Sequence, residues 1–178
     1  MREIAGEAGI NQALLHYYFR SKERLYREVV LREVSGFFRG IVSSFSGEGD
    51  IEEFLGRFID DYIGRLAANP QVVRFLTWEL GSGGAIVREV IRDAVRDGRT
   101  GDMYRKFEAV VDRAARDGRI RSVDPQHLIM NVLGMCLYTF LAAPILEHIF
   151  PELDIRGERF VERRKKEIFE LVRRGIAV

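Results

Sequence analysis

The chain is short of residues that build covalent or metal-held scaffolds. Its single cysteine, Cys136, allows no intramolecular disulfide and no cysteine-based structural zinc site. A reducing, cytoplasmic setting fits that usage. Of its three histidines, His16, His127 and His148, no two stand at metal-ligand spacing on a helix, so no metal is expected. There is no glycine-rich phosphate cradle, and Cys136 has no neighbouring base, so it reads as an inert buried thiol. Together these absences argue against an enzyme and against a bound cofactor. Net charge is nearly absent too: 28 basic residues against 27 acidic ones leave +1, so any nucleic-acid contact has to come from a local patch. The opening MREIAGEAGI lacks the apolar run of a signal peptide.

What the chain has in quantity is helix-spaced apolar sequence. Hydrophobic residues at 47% and charged ones at 31% describe a globular chain, and 178 residues suffice for a small head and a larger body. No segment alternates as a strand does, and only four prolines interrupt the helical spacing, so the expected fold class is all-α. Residues 128–146, LIMNVLGMCLYTFLAAPIL, carry no charge and approach membrane-spanning length. Asn131, Thr139 and Pro144 interrupt that run and no second one exists, so a helix buried on two sides is expected, with no membrane partner.

Local signals divide the chain. Helices are expected over 2–8 and 12–18, separated by Gly9, suited to a left-handed stop, and Asn11, suited to an N-cap. Ser21 caps a longer helix over 22–43. A break at Ser46-Gly47-Glu48-Gly49 precedes Asp50, which caps a helix to Ala68 whose stripe is Ile51, Leu55, Phe58, Ile59, Tyr62, Ile63 and Leu66. Pro70 opens the next helix, which ends in the glycines at 81–84. Segments 86–96 and 104–117 flank Asp97-Gly98-Arg99-Thr100-Gly101, and Gly118 is a stop. Asp124-Pro125 opens the apolar helix to about Phe150, with a kink near Pro144, and a last helix covers 155–174, with Val161, Ile168, Leu171 and Val172 on one face. ERRKKE at 162–167 reads as its solvated side. The expected domains are 1–45, a head with its linking helix, and 46–178, an effector-binding and dimerisation body.

Residues 4–25, IAGEAGINQALLHYYFRSKERL, carry the densest motif. Ile4, Ala8, Ile10, Leu15 and Phe19 are spaced to pack two short helices, with Ala5 and Ala8 small enough for close approach. Ile4-Ala5, Ala8-Gly9-Ile10, Leu15, Tyr18-Phe19, Ser21-Lys22-Glu23 and Leu25 together resemble the helix-turn-helix signature of TetR/AcrR transcriptional regulators. The rest of the chain agrees with that family in architecture and helix order only. Two departures stand out. His16 occupies a position where the family carries tyrosine, and the family's first helix has no counterpart before Met1, which suggests a misassigned or engineered start. Eight residues rarely hold a helix unaided, so without that cover Ile4, Leu15 and Phe19 should be partly wet.

The resemblance implies that the second helix enters a major groove, with Gln12 on adenine and Ala13 and Leu14 on thymine methyls. Arg2, His16, Tyr17, Tyr18 and Lys22 would line the same outer face, Arg2, Tyr17, Tyr18 and Lys22 reaching phosphates. It also implies a small-molecule effector within the body and a homodimer formed through the last two helices on palindromic operator DNA. Bulky soft residues there, Phe58, Tyr62, Phe75, Trp78, Phe107, Met130, Met135 and Tyr138, suit an adaptable apolar cavity, although such residues fill cores more often than they touch ligands. The expected function is a ligand-responsive repressor. The alternative is a helical small-molecule sensor or interaction bundle with a vestigial DNA head.

Overall fold

Asn11, Ser21, Asp50 and Asp124 each cap a helix start with a side-chain oxygen that accepts a backbone amide. Asn11 Oδ1 accepts the Ala13 amide at 2.8 Å, Ser21 Oγ that of Arg24 at 3.2 Å, Asp50 Oδ1 that of Glu53 at 2.9 Å, and Asp124 Oδ1 that of Gln126 at 2.8 Å. These caps fix where the chain changes direction. The computed structural model describes residues 1–43, 49–96 and 99–178. The described residues form ten helices and no strand: α1 (Arg2–Glu7), α2 (Gln12–Phe19), α3 (Lys22–Ser43), α4 (Ile51–Ala68), α5 (Pro70–Gly81), α6 (Ala85–Arg96), α7 (Arg99–Arg116), α8 (Pro125–Leu141), α9 (Ala143–Ile149) and α10 (Glu158–Ile176). The expected break at 46–49 falls mostly outside the described residues, as do Asp97 and Gly98.

The body is built around α4. Its whole expected stripe is buried, joined by Phe54, because residues three and four apart share one helical face. Helices α8 and α10 pack on it, α3, α5 and α7 complete the surround, and α6 packs against those three. Phe54 and Phe107 sit 5.3 Å apart, and Phe58 stacks on Tyr62 at 5.5 Å. Helix α3 enters this core through Val30, Val34, Phe37 and Ile41, one face of a single continuous helix.

The kink expected near Pro144 is present as a break: the chain bends by 69° between α8 and α9, one residue before Ala143-Pro144 opens α9. No single helix among the described residues is long and apolar enough to cross a membrane. Helix α10 starts three residues later than expected. Asp154 accepts the Gly157 amide at 3.0 Å and Ile155 is fully buried, so the chain is committed to a turn there. On α10, Leu171 is 64% exposed, and Ile176 takes its place with Val161, Ile168 and Val172 in the core. The charged run is not wholly solvated: Glu162, Arg163, Lys166 and Glu167 are exposed, whereas Arg164 and Lys165 turn inward. Lys165 bridges Glu162 on α10 (2.7 Å) and Asp60 on α4 (2.9 Å).

Candidate nucleic-acid interface and effector region

The head is α1, α2 and the first turns of α3. Gly9 adopts φ +64°, the left-handed conformation that glycine enters without Cβ strain, and turns the chain from α1 toward α2. Ala5 and Leu15 are the buried apolar contacts of this unit, at 3% and 5% exposure. Of the other residues spaced to pack the two helices, Ile4 and Ile10 remain 38% and 40% exposed, Ala8 is exposed and Phe19 is half-buried. The expectation of a partly wet apolar side therefore holds for Ile4 and Phe19 but not for Leu15.

With Leu15 turned inward, the outer side of α2 is free. Gln12, Ala13, Leu14, His16, Tyr17 and Tyr18 are all exposed, as are Arg2 on α1 and Lys22 at the start of α3. Tyr17 and Tyr18 meet edge to face at 5.4 Å, each 68% exposed. All eight expected contact residues are therefore accessible to solvent. Sequence reasoning passed over Arg20. It ends α2 with φ +62°, unusual for a side-chain-bearing residue, while its amide donates to the His16 carbonyl at 2.9 Å. That strain turns the chain sharply into α3. Glu23, in the first turn of α3, is held below the usual carboxylate range by its own backbone amide, then by the Ser21 hydroxyl, with Lys22 adding to the effect. Ser21 and Glu23 therefore lock the junction from which Lys22 projects.

The eight expected effector residues do not converge. Phe58, Tyr62, Phe75 and Phe107 are buried in the body and Met135 is half-buried. Trp78, Met130 and Tyr138 are surface residues at 56%, 54% and 64% exposure. Burial drives the Tyr62 hydroxyl well above its ordinary pKa, with the neighbouring Cys136 thiol adding to the rise. Burial also pushes the Cys136 thiol up to about 12, against a pull from Arg164 in the other direction. Grooves lined by described residues flank this core. One of about 360 Å³ lies between α3 and α5 and includes Phe75 and Trp78. One of about 490 Å³ lies between the start of α8 and the end of α10 and includes Met135. One of about 1030 Å³ lies between α8, α9 and α10 and includes Tyr138. Phe58, Tyr62 and Phe107 line none of these.

A short helix pair presenting its second helix, joined by a continuous α3 to an all-helical body, defines a DNA-binding regulator. Residues 1–29 match the profile of bacterial regulatory proteins of the tetR family, and residues 52–172 match the tetracyclin repressor-like C-terminal domain. The chain belongs to the TetR family of transcriptional regulators. It is 24% identical to the HTH-type transcriptional regulator RutR of Escherichia coli K12 over 186 aligned positions, 99% of this chain and 80% of that protein. Its fold is similar to that of a TetR/AcrR-family regulator from Thermobifida fusca (TM-score 0.66, 19% identity, 97% of this chain and 84% of the other). It is also similar to the ketosteroid transcriptional regulator KstR2 of Mycobacterium tuberculosis (TM-score 0.61, 16% identity, 99% and 84%).

Proposed function

We propose that the chain is a repressor that leaves a palindromic operator when a small, largely apolar effector occupies its body. The observation carrying this reading is the placement of α2: Leu15 anchors it while Gln12, Ala13, Leu14, His16, Tyr17 and Tyr18 stay open to solvent. In this reading Gln12 donates to and accepts from an adenine edge, and Ala13 and Leu14 cover thymine methyls. Arg2, Tyr17, Tyr18 and Lys22 hold phosphates and set register. His16 offers a ring nitrogen on the same face. The chain acts by binding and not by turnover, and residues 1–45 serve as head and linker to a body over 46–178.

Dimerisation through α8 and α10 is part of the proposal. Met130 and Tyr138 on α8 and Leu171 on α10 are more than half exposed, and Gly134 between the first two has open space beyond its Cα. An apolar face with a small residue at its centre suits a second copy of the same face, which a twofold axis supplies. Two heads then meet two half-sites about one helical turn apart. Effector binding must favour one body conformation over the other, or the heads do not move.

The test is a mobility shift on duplex DNA selected from a random library. Binding should weaken steeply with salt, and Gln12→Ala with Lys22→Ala should abolish it. A selected duplex bound equally well by the double variant would leave the head vestigial and favour the sensor bundle.

A further inference from the structure

We propose that the groove between α3 and α5 binds an aromatic α-amino acid, its ring against Tyr26 and Trp78 and its head group between Glu33 and Arg74. The proposal rests on the reading of this chain as ligand-responsive and gives the effector a class. Tyr26, Val30 and Glu33 fall at helical spacing on one side of α3, as Arg74, Phe75 and Trp78 do on α5, and all six line this groove of about 360 Å³. That volume is at the small end for ligand sites and holds one bicyclic ring. Val30 and Phe75 are buried, whereas Tyr26 and Trp78 are 51% and 56% exposed. Trp78 meets Phe75 at 6.3 Å, so an aromatic wall runs from the buried side of the groove to its open side.

Glu33 and Arg74 are the charged residues of the groove, one on each helix, and both are exposed. They form no ion pair with each other or with any other described residue. Opposite charges that line one groove without meeting complement a ligand that carries both, an ammonium for the Glu33 carboxylate and a carboxylate for the Arg74 guanidinium. An amine leaves Arg74 unmatched, and an acid leaves Glu33 unmatched. An aromatic α-amino acid answers both and covers the exposed rings of Tyr26 and Trp78. No lining residue belongs to α8, α9 or α10, so dimerisation through α8 and α10 leaves the groove open. Val30 and Val34 line it and also seat α3 in the body, so occupancy acts on the packing of the helix that carries the head.

The test is calorimetry of the full chain at low ionic strength, where exposed charges are least screened, with L-tryptophan, tryptamine and indole-3-propionate. Tryptophan should bind saturably, and each single-charge counterpart about two- to fivefold more weakly, the modest factor that an exposed ion pair supplies. Glu33→Gln should erase the advantage over indole-3-propionate and keep that over tryptamine; Arg74→Gln should do the reverse. Trp78→Ala, at an exposed position that folding tolerates, should weaken all three by about tenfold. Tyr138→Ala, in the groove of α8 and α10, should alter none. No saturable binding of tryptophan, equal affinities for the three compounds, preferences that survive both charge substitutions, or a loss in Tyr138→Ala matching that in Trp78→Ala would each overturn the site. Tryptophan that binds as expected yet leaves the DNA complex intact would uphold the site and overturn the ligand-responsive reading. Release from DNA by another compound, with no binding of tryptophan, would overturn the site alone.

Discussion

Replacing Leu15 by alanine should unfold the head and leave the body standing. Leu15 is 5% exposed, and the only other buried side chain of α1 and α2 is Ala5. Truncating a buried leucine costs about 2–5 kcal/mol, the upper part of that range applying where a cavity stays open. Here Ile4 and Ile10 are more than a third exposed and Phe19 is half-buried, so neighbours and water can close the gap. The expected cost is therefore about 2–3 kcal/mol. That is enough, because α1 and α2 are six and eight residues long, too short to persist without packing. The body holds its own core from α4, α5, α7, α8 and α10, none of which Leu15 supports. Hydrogen exchange followed by mass spectrometry separates the two units. Peptides from residues 2–20 should lose protection in Leu15→Ala while those from α4 and α8 keep theirs, and DNA binding should disappear with little loss of helical circular dichroism. If α4 and α8 lose protection in step with α2, the head is not a separate unit and the division near residue 45 fails.

The body offers further tests. Cys136 is fully buried and its thiol is pushed up to about 12, so iodoacetamide at pH 8 should label it only after unfolding; labelling of the native chain would contradict that placement. Lys165 is penalised by burial, yet hydrogen bonds to Glu162 and Asp60 outweigh this and hold its ammonium above the ordinary 10.5. A cation raised in the folded state adds stability below its unfolded pKa and loses it as pH rises through the folded one. Lys165→Met should therefore cost about 1–2 kcal/mol in urea melts at neutral pH, with the deficit shrinking only above about pH 10.5; a deficit that grows with alkalinity would reverse the assignment. Glu79, 3% exposed, accepts the Ile86 amide and so caps α6 from the far side of the glycine turn. Glu79→Ala should cost about 1.5–3 kcal/mol in thermal melts, and a neutral result would show the cap to be dispensable.

Where chemistry is local, the sequence was readable. Helix α3 runs over the expected 22–43, and α4 begins after its Asp50 cap, because a capping side chain and the amide it serves lie two or three residues apart. Gly9 and Asn11 bracket the head turn for the same reason. Which way a side chain faces on an all-apolar helix was not readable. The large apolar residues of 128–146 all look like core, yet Met130 and Tyr138 are outside while Val132 and Cys136 are sealed. Periodicity cannot choose a face when no polar face marks the other. Trp78 misled in a related way: its spacing fits the stripe of Phe75 and Leu76, but it lies at the edge of α5, beyond reach of the body interior. Glu79 and Arg164 escaped notice because their partners, Ile86 and Met135, are set by the fold and not by nearby sequence.

The proposed switch then depends on what holds α3. Its 22 residues span roughly 33 Å without a break. One end lies in the head, and Val30, Val34, Phe37 and Ile41 are seated in the body. A helix that long is a lever: a tilt of about 10° moves its far end by about 6 Å, half the width of a major groove about 12 Å wide. The ion pair of Arg27 on α3 with Glu89 on α6 is too exposed to set that tilt, since side chains 49% and 34% accessible contribute about 0–1 kcal/mol. The four buried side chains are each worth about 1.5–3 kcal/mol on burial, so they dominate. Effector binding that repacks the residues around Val30 and Val34 can therefore reorient the head, whereas rearranging surface charge along α3 cannot.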